Sequence, residues 1–170
     1  LHAVDLKNIM WAEQAGIVGG NVEIGIDNGE FGAFFDEQQV GNAVIRFVVT
    51  DGHHIRRQHV HACIGVRKMA SMNKVSGHIV VNFDELTGSV GRLMYELKAN
   101  EELYTSFISP QDAQPLITEK SLLVIVDTHK PSLVVDPTIL QHFEKVVVID
   151  HHRRAEEFIE NPVLVYMEPY

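Results

Sequence analysis

Two acids and three histidines stand out by where they fall. Residues 121–152 read SLLVIVDTHKPSLVVDPTILQHFEKVVVIDHH. Leu122–Val126 and Val146–Ile149 are short, wholly apolar runs, and each ends in an acid, Asp127 and Asp150. His129 follows the first acid by two residues, and His151 and His152 follow the second directly. Carboxylates joined by one or two imidazoles are a donor set for manganese, as an all-oxygen set would be for magnesium. Two such ions about 3.5–4 Å apart clamp a phosphate and lower the pKa of a bridging water. The chemistry indicated is metal-assisted phosphoryl hydrolysis. Asp127 is the candidate acid shared by both ions and His151 the candidate imidazole for one of them. A strand-end aspartate is more often only a turn or cap acid. The Asp150-His151-His152 triplet at the end of a second apolar run weighs against that for Asp127.

The elements that would position these groups follow from the pattern around them. Uninterrupted Val, Ile and Leu runs of this length suit strands buried on both faces of a parallel sheet. Ligands of such sheets gather beyond the carboxyl ends of the strands. Other strands are expected at Ala43–Val49, His78–Asn82 and Val163–Tyr166. Helices are expected at His61–Asn73, at Ser89–Lys98 with Val90, Leu93, Met94 and Leu97 on one face, after Ser109-Pro110, and at Pro137–Phe143. A polar helical turn follows the triplet. The alternation from Ala43 onward is that of an α/β domain, a parallel sheet with helices on both faces. Before it, Val4–Ala15 has helical spacing and Asn28-Gly29 marks a hairpin. The chain therefore divides into a small helix-plus-hairpin lobe with its connector, 1–42, and the α/β domain, 43–170. The glycines of the hairpin have neither GxGxxG nor P-loop spacing, so they serve turns.

The bulk composition narrows the function. With 170 residues, 45% hydrophobic and 22% charged, the chain buries a real core. Its net charge of −9 argues against holding a long nucleic acid by its backbone. A single cysteine, Cys63, excludes a disulfide framework and fits a reducing compartment. No apolar run is long enough for a membrane span. The chain begins at Leu1 and stops at Tyr170, just after a proline, so both ends read as cuts through something longer. Five of ten histidines, His53, His54, His59, His61 and His78, lie in one quarter of the chain.

IGVRKMASMN, FISPQDA, VDTHKPS, VVVIDHHRR and EEFIENPVLVYMEPY together resemble the DHH-superfamily phosphoesterases, most closely their cyclic-di-AMP phosphodiesterases. AEQAGIVGGNVEIGIDNGEF more loosely resembles the end of the degenerate GGDEF domain that precedes the DHH domain in that family. The resemblance implies a manganese-dependent hydrolase with a two-metal site that opens cyclic di-AMP to linear pApA. It implies a cytoplasmic domain of a membrane-anchored protein, with a cyclic dinucleotide as ligand and a second copy as the expected assembly partner. Asp127 would bridge the metals, His151 would ligate one, Asp150 would belong to the metal set, and His152 would support it or face the phosphate. His129 is expected beside the metal set or on the substrate. Arg153 and Arg154 would meet phosphate oxygens, or else sit in a first helical turn paired with Glu156 and Glu157.

The sequence also departs from the family. Its first motif is a glycine-histidine pair, two further residues, then Pro-Asp-x-Asp. Gly52-His53 keeps the pair, so His53 takes the histidine role. The aspartates are absent. Counted forward from His53, their places fall on Arg57 and His59; counted back from Cys63-Ile64-Gly65, on Arg56 and Gln58. An arginine there would repel a cation. The family's later aspartate ligand and its DHHA1 domain lie beyond Tyr170. Three readings stay open. One is a working phosphodiesterase whose site is rebuilt from His53, His59 and His61, a set that favours zinc. Another is an impaired module that binds a nucleotide or partner without turnover. The last is a different DHH activity, an oligoribonuclease or a pyrophosphatase.

Overall fold

The structure, a computed structural model, describes residues 45–50, 52, 55–72 and 74–167. The expected first lobe and its connector, 1–42, lie outside the described residues, as does His53.

Among the described residues, six strands form one sheet: β1 (Ile45–Val49), β2 (Ser76–Val80), β3 (Phe107–Ile108), β4 (Ser121–Val126), β5 (Lys145–Asp150) and β6 (Leu164–Met167). Their order across the sheet is β3-β2-β1-β4-β5-β6, and every pairing is parallel. The expected parallel α/β fold is therefore present. All of β4 and all but the first residue of β5 are buried, as uninterrupted apolar runs require.

Alternate residues feed two cores. Val48, Leu122, Val124 and Ile149 face α1 (Arg57–Met72) and α2 (Gly88–Leu97), meeting Val60, Cys63, Val66, Val90 and Leu93. Phe47, Leu123, Ile125 and Val148 face the opposite way, onto Ala113, Val134, Ile139, Phe143 and Ile159. The second layer is made of short pieces: α4 (Pro110–Ala113) and 3-10 turns at Pro131–Leu133 and Pro137–His142. Between α2 and β3 a single turn, α3 (Glu101–Tyr104), is capped by Asn100.

Several expectations are corrected. α1 begins at Arg57, four residues before the expected His61, so His59 is helical. The expected helix at Pro137–Phe143 is a 3-10 turn that buries Ile139. After Asp150 the chain runs to β6 without a helix. As expected, Ser109 caps α4, its Oγ accepting the Asp112 N–H at 3.1 Å.

The strand order reverses direction between β1 and β4. Crevices at such a switch point, beyond the carboxyl ends of the strands, are where doubly wound sheets bind ligands. Here the ends are Val49 and Val126, with Ile149–Asp150 alongside.

Candidate metal centre

The loops leaving β1 and β4 are laced together at this edge. Gly52 N–H donates to the Leu133 carbonyl at 2.9 Å, and Val135 N–H to the Thr50 carbonyl at 3.2 Å. A Cβ on Gly52 would stand 2.6 Å from the Val135 Cα. The glycine of the Gly52-His53 pair is thus needed for backbone approach. Gly52→Ala is expected to lower stability by about 1–3 kcal/mol, read as an earlier urea midpoint at unchanged m-value.

Asp127 leaves β4 with φ +66°, a left-handed conformation that few side chains other than Asn and Asp adopt. Its backbone N–H donates to the Ile149 carbonyl at 2.9 Å, which ties the bend to β5. The carboxylate is buried between two imidazoles. Oδ2 lies 2.6 Å from His59 Nε2, and Oδ1 lies 2.8 Å from His151 Nδ1. His59 is carried by the first turn of α1 and is itself buried. Its Nδ1 accepts the Arg56 backbone N–H at 3.3 Å. One turn further along α1 is Cys63, fully buried. Burial first, and the nearby Asp127 charge second, push its thiol far up, so it supplies no thiolate.

Asp150 is the centre of a second network. Its Oδ1 accepts from the His152 backbone N–H at 3.1 Å and from His152 Nδ1 at 2.7 Å. Its Oδ2 accepts from His129 Nδ1 in a short bond. Burial alone would raise this carboxyl. The bonds from His129 and His152 overcome that and hold it below its usual range. His129 is buried, and its Nε2 accepts the Ala155 N–H at 3.0 Å. Both of its ring nitrogens are therefore committed. His129 supports Asp150 and has none left for a substrate phosphate, which corrects its expected place on the substrate.

Asp127, Asp150, His151 and His152 each offer a ligand atom, and these atoms lie within 4.8 Å of one another. Four of the residues singled out from the sequence thus converge at one edge. The set fits a divalent ion by its donors and by one further feature. Asp127 Oδ1 is buried and, among the described residues, has no hydrogen-bond donor in bonding geometry, a costly state that a cation relieves. Asp150 already accepts three bonds, so it orients the histidines, as carboxylates beside metal-binding histidines do.

Arg153 and Arg154 follow the triplet directly and are both exposed. The Arg154 guanidinium stacks over the Phe158 ring at 4.6 Å, and Phe158 in turn stacks on His129. Glu157, one of the acids expected to pair with these arginines, instead accepts the Ser132 N–H at 2.9 Å. Arg57 is turned towards Glu96 of α2, at 3.5 Å, rather than towards the metal edge. The repulsion expected of an arginine in an aspartate's place is thereby relieved. His59 and His61 lie on different sides of a helix, so the extended pairing that would have put both into a rebuilt site does not form. The sequence sets His59 beside Asp127 as one of three histidines of a rebuilt site; the structure brings His59 to Asp127, but from the first turn of a helix and without His61.

Among the described residues no helix is long and apolar enough to cross a membrane. A model of the DHH family, N-terminal domain, matches residues 21–170. The chain is 50% identical over 111 residues to the cyclic-di-AMP phosphodiesterase GdpP of Bacillus subtilis, covering 65% of this chain and 17% of that protein. It is 48% identical over 109 residues to GdpP of Geobacillus thermodenitrificans, covering 64% and 17%. To the cyclic-di-AMP phosphodiesterase PdeA of Listeria monocytogenes it is 46% identical over 111 residues, again 65% and 17%. The chain thus spans about a sixth of the length of these curated relatives. With the family match covering most of the residues, and an Asp-His-His triplet at the metal edge, the chain belongs to the DHH family.

Proposed function

We propose that this chain is the DHH part of a metal-dependent phosphodiesterase that hydrolyses cyclic di-AMP to pApA, with manganese as its ion. The observation that carries this reading is the convergence of Asp127, His151, His152 and Asp150 at the switch point. The names of three relatives near 50% identity support the substrate. By the resemblance, the domain would work in the cytoplasm within a longer, membrane-anchored protein; a homodimer is the assembly proposed for it. Residues 1–42 would be the end of a GGDEF-like lobe.

Asp127 Oδ1 and the His151 ring would hold the ion, with His152 beside them. When bound, the ion supplies an acidified water and a positive charge for the phosphate oxygens. The chain's own residues do the rest. Asp150 holds the His152 ring by its Nδ1 proton, which leaves Nε2 to exchange a proton with the reacting oxygens. Arg153 and Arg154 meet the phosphate from the solvent side, as arginine suits phosphate geometry. The water oxygen joins phosphorus, the ribose oxygen leaves, and the water proton passes to the leaving oxygen.

The test is incubation of the chain with manganese and cyclic di-AMP, with pApA followed by chromatography and the ion by calorimetry. Turnover with bound ion is expected. An absence of both would overturn the reading. One rival has its own observation: the family's two aspartate places, on the forward count, are filled by Arg57, turned to Glu96, and by His59. That favours a module that binds the dinucleotide without turnover. Binding of cyclic di-AMP with no pApA formed would select it.

A further inference from the structure

We infer that the centre takes one divalent ion rather than two, because His59 fills the second position with a proton. The inference rests on the metal-binding reading above and deepens it.

The argument is one of tautomers. A backbone N–H only donates, so the Arg56 N–H at 3.3 Å makes His59 Nδ1 an acceptor. The neutral ring must then carry its hydrogen on Nε2. Nε2 stands 2.6 Å from Asp127 Oδ2, and so donates to it. The hydrogen takes one lone pair of that oxygen and sets the positive edge of the ring beside the other, where a second ion would bring like charge. To ligate through Nε2 instead, His59 would have to move its proton to Nδ1 and give up the Arg56 bond. It is buried in the first turn of a helix, where it has little room to turn away. The oxygen on the other side of the same carboxylate, Oδ1, is the one without a hydrogen-bond donor among the described residues. It is also the one that faces His151. The carboxylate is therefore two-sided: Oδ2 accepts the His59 N–H, and Oδ1 is the oxygen left for a cation. The other residue that the forward count sets in an aspartate's place, Arg57, is a cation and supplies no anion, and its guanidinium is drawn to Glu96. His59 is thus a positioning residue. It fixes Asp127 and keeps the second ion out.

Manganese titrated into the intact chain, followed by calorimetry and native mass spectrometry, is expected to show one ion per chain. Histidine ring nitrogen spectra recorded with zinc are expected to keep His59 in its Nε2–H form while the His151 ring shifts. His59→Gln, whose amide N–H takes the place of the ring N–H, should hold the single ion within a few-fold. His59→Ala should weaken it roughly 10–100-fold, as loss of a residue supporting a ligand does. Two ions per chain, a metal-shifted His59 ring, or unchanged affinity in His59→Ala would each overturn the inference and leave the metal centre standing. No ion bound at all would instead overturn the metal centre itself.

Discussion

Asp127→Asn is expected to keep the fold and lose the ion. At φ +66° the substitution must tolerate a left-handed backbone. Asn does so about as well as Asp, whereas Ala adds roughly 1–2 kcal/mol of strain. Asn is therefore the cleaner probe. Its amide oxygen still accepts the His59 Nε2–H. On the other side, where Oδ1 lies 2.8 Å from His151, no anionic oxygen remains for a cation. The ion's charge stabilisation is worth several kcal/mol, and each 1.36 kcal/mol is tenfold in rate. Turnover should therefore fall by about a thousandfold or more. The thermal midpoint measured in a chelator should change by no more than about 4 °C, the equivalent of about 1 kcal/mol for a chain this size. Manganese affinity, pApA formation and the thermal midpoint are measured together. Activity within tenfold of the parent chain would remove Asp127 from its role.

Asp150→Asn should act on stability first. The carboxylate accepts from His129 on Oδ2 and twice from His152 on Oδ1. An amide accepts on one side only, and its NH2 then faces an imidazole N–H. His152 is half exposed and can turn to water. His129 is buried, and it cannot switch tautomer without releasing the Ala155 N–H. A stranded buried donor together with a lost charged hydrogen bond costs about 3 kcal/mol. That is a drop of roughly 6–12 °C in thermal midpoint at this chain length. The pH dependence gives a second signature. The folded carboxyl titrates below its ordinary value of 3.8. The unfolded chain thus takes up the proton first, and the stabilisation is present above that pH and is lost as pH falls through the folded value. Asp150→Asn removes this acid-sensitive component, so its stability should depend less on pH in that window. A variant as stable as the parent would show that the network carries no weight.

The two predictions are separable. Asp127→Asn strips the donor and spares the scaffold, while Asp150→Asn loosens the scaffold around intact donors. With the assay for pApA and the Gly52→Ala midpoint, they test donors, supports and loop lacing independently.

By itself the sequence determined the sheet and the edge at which its acids and histidines gather. Leu122–Val126 and Val146–Ile149 are apolar on both faces, which only a covered parallel sheet accommodates, and an acid after each run must emerge at the same edge. The capping of α4 by Ser109 was legible because it is a local hydrogen bond. Strand order was not, since β1 lies between β2 and β4 through pairings distant in sequence. Nor was the start of α1. Arg57 and Gln58 read as a polar loop, and it is packing of Val60 and Cys63 on the sheet that makes the segment a helix. Only the tertiary structure decided the rest of the centre. Which side of Asp127 meets a proton depends on Arg56 N–H and His59 arriving from the start of α1 and on His151 arriving from the end of β5. The direction of Arg57 depends on Glu96, on a different helix. Residue types and spacing name the donors. Hydrogen-bond direction, which is set by three-dimensional neighbours, decides which of them is left to bind a metal.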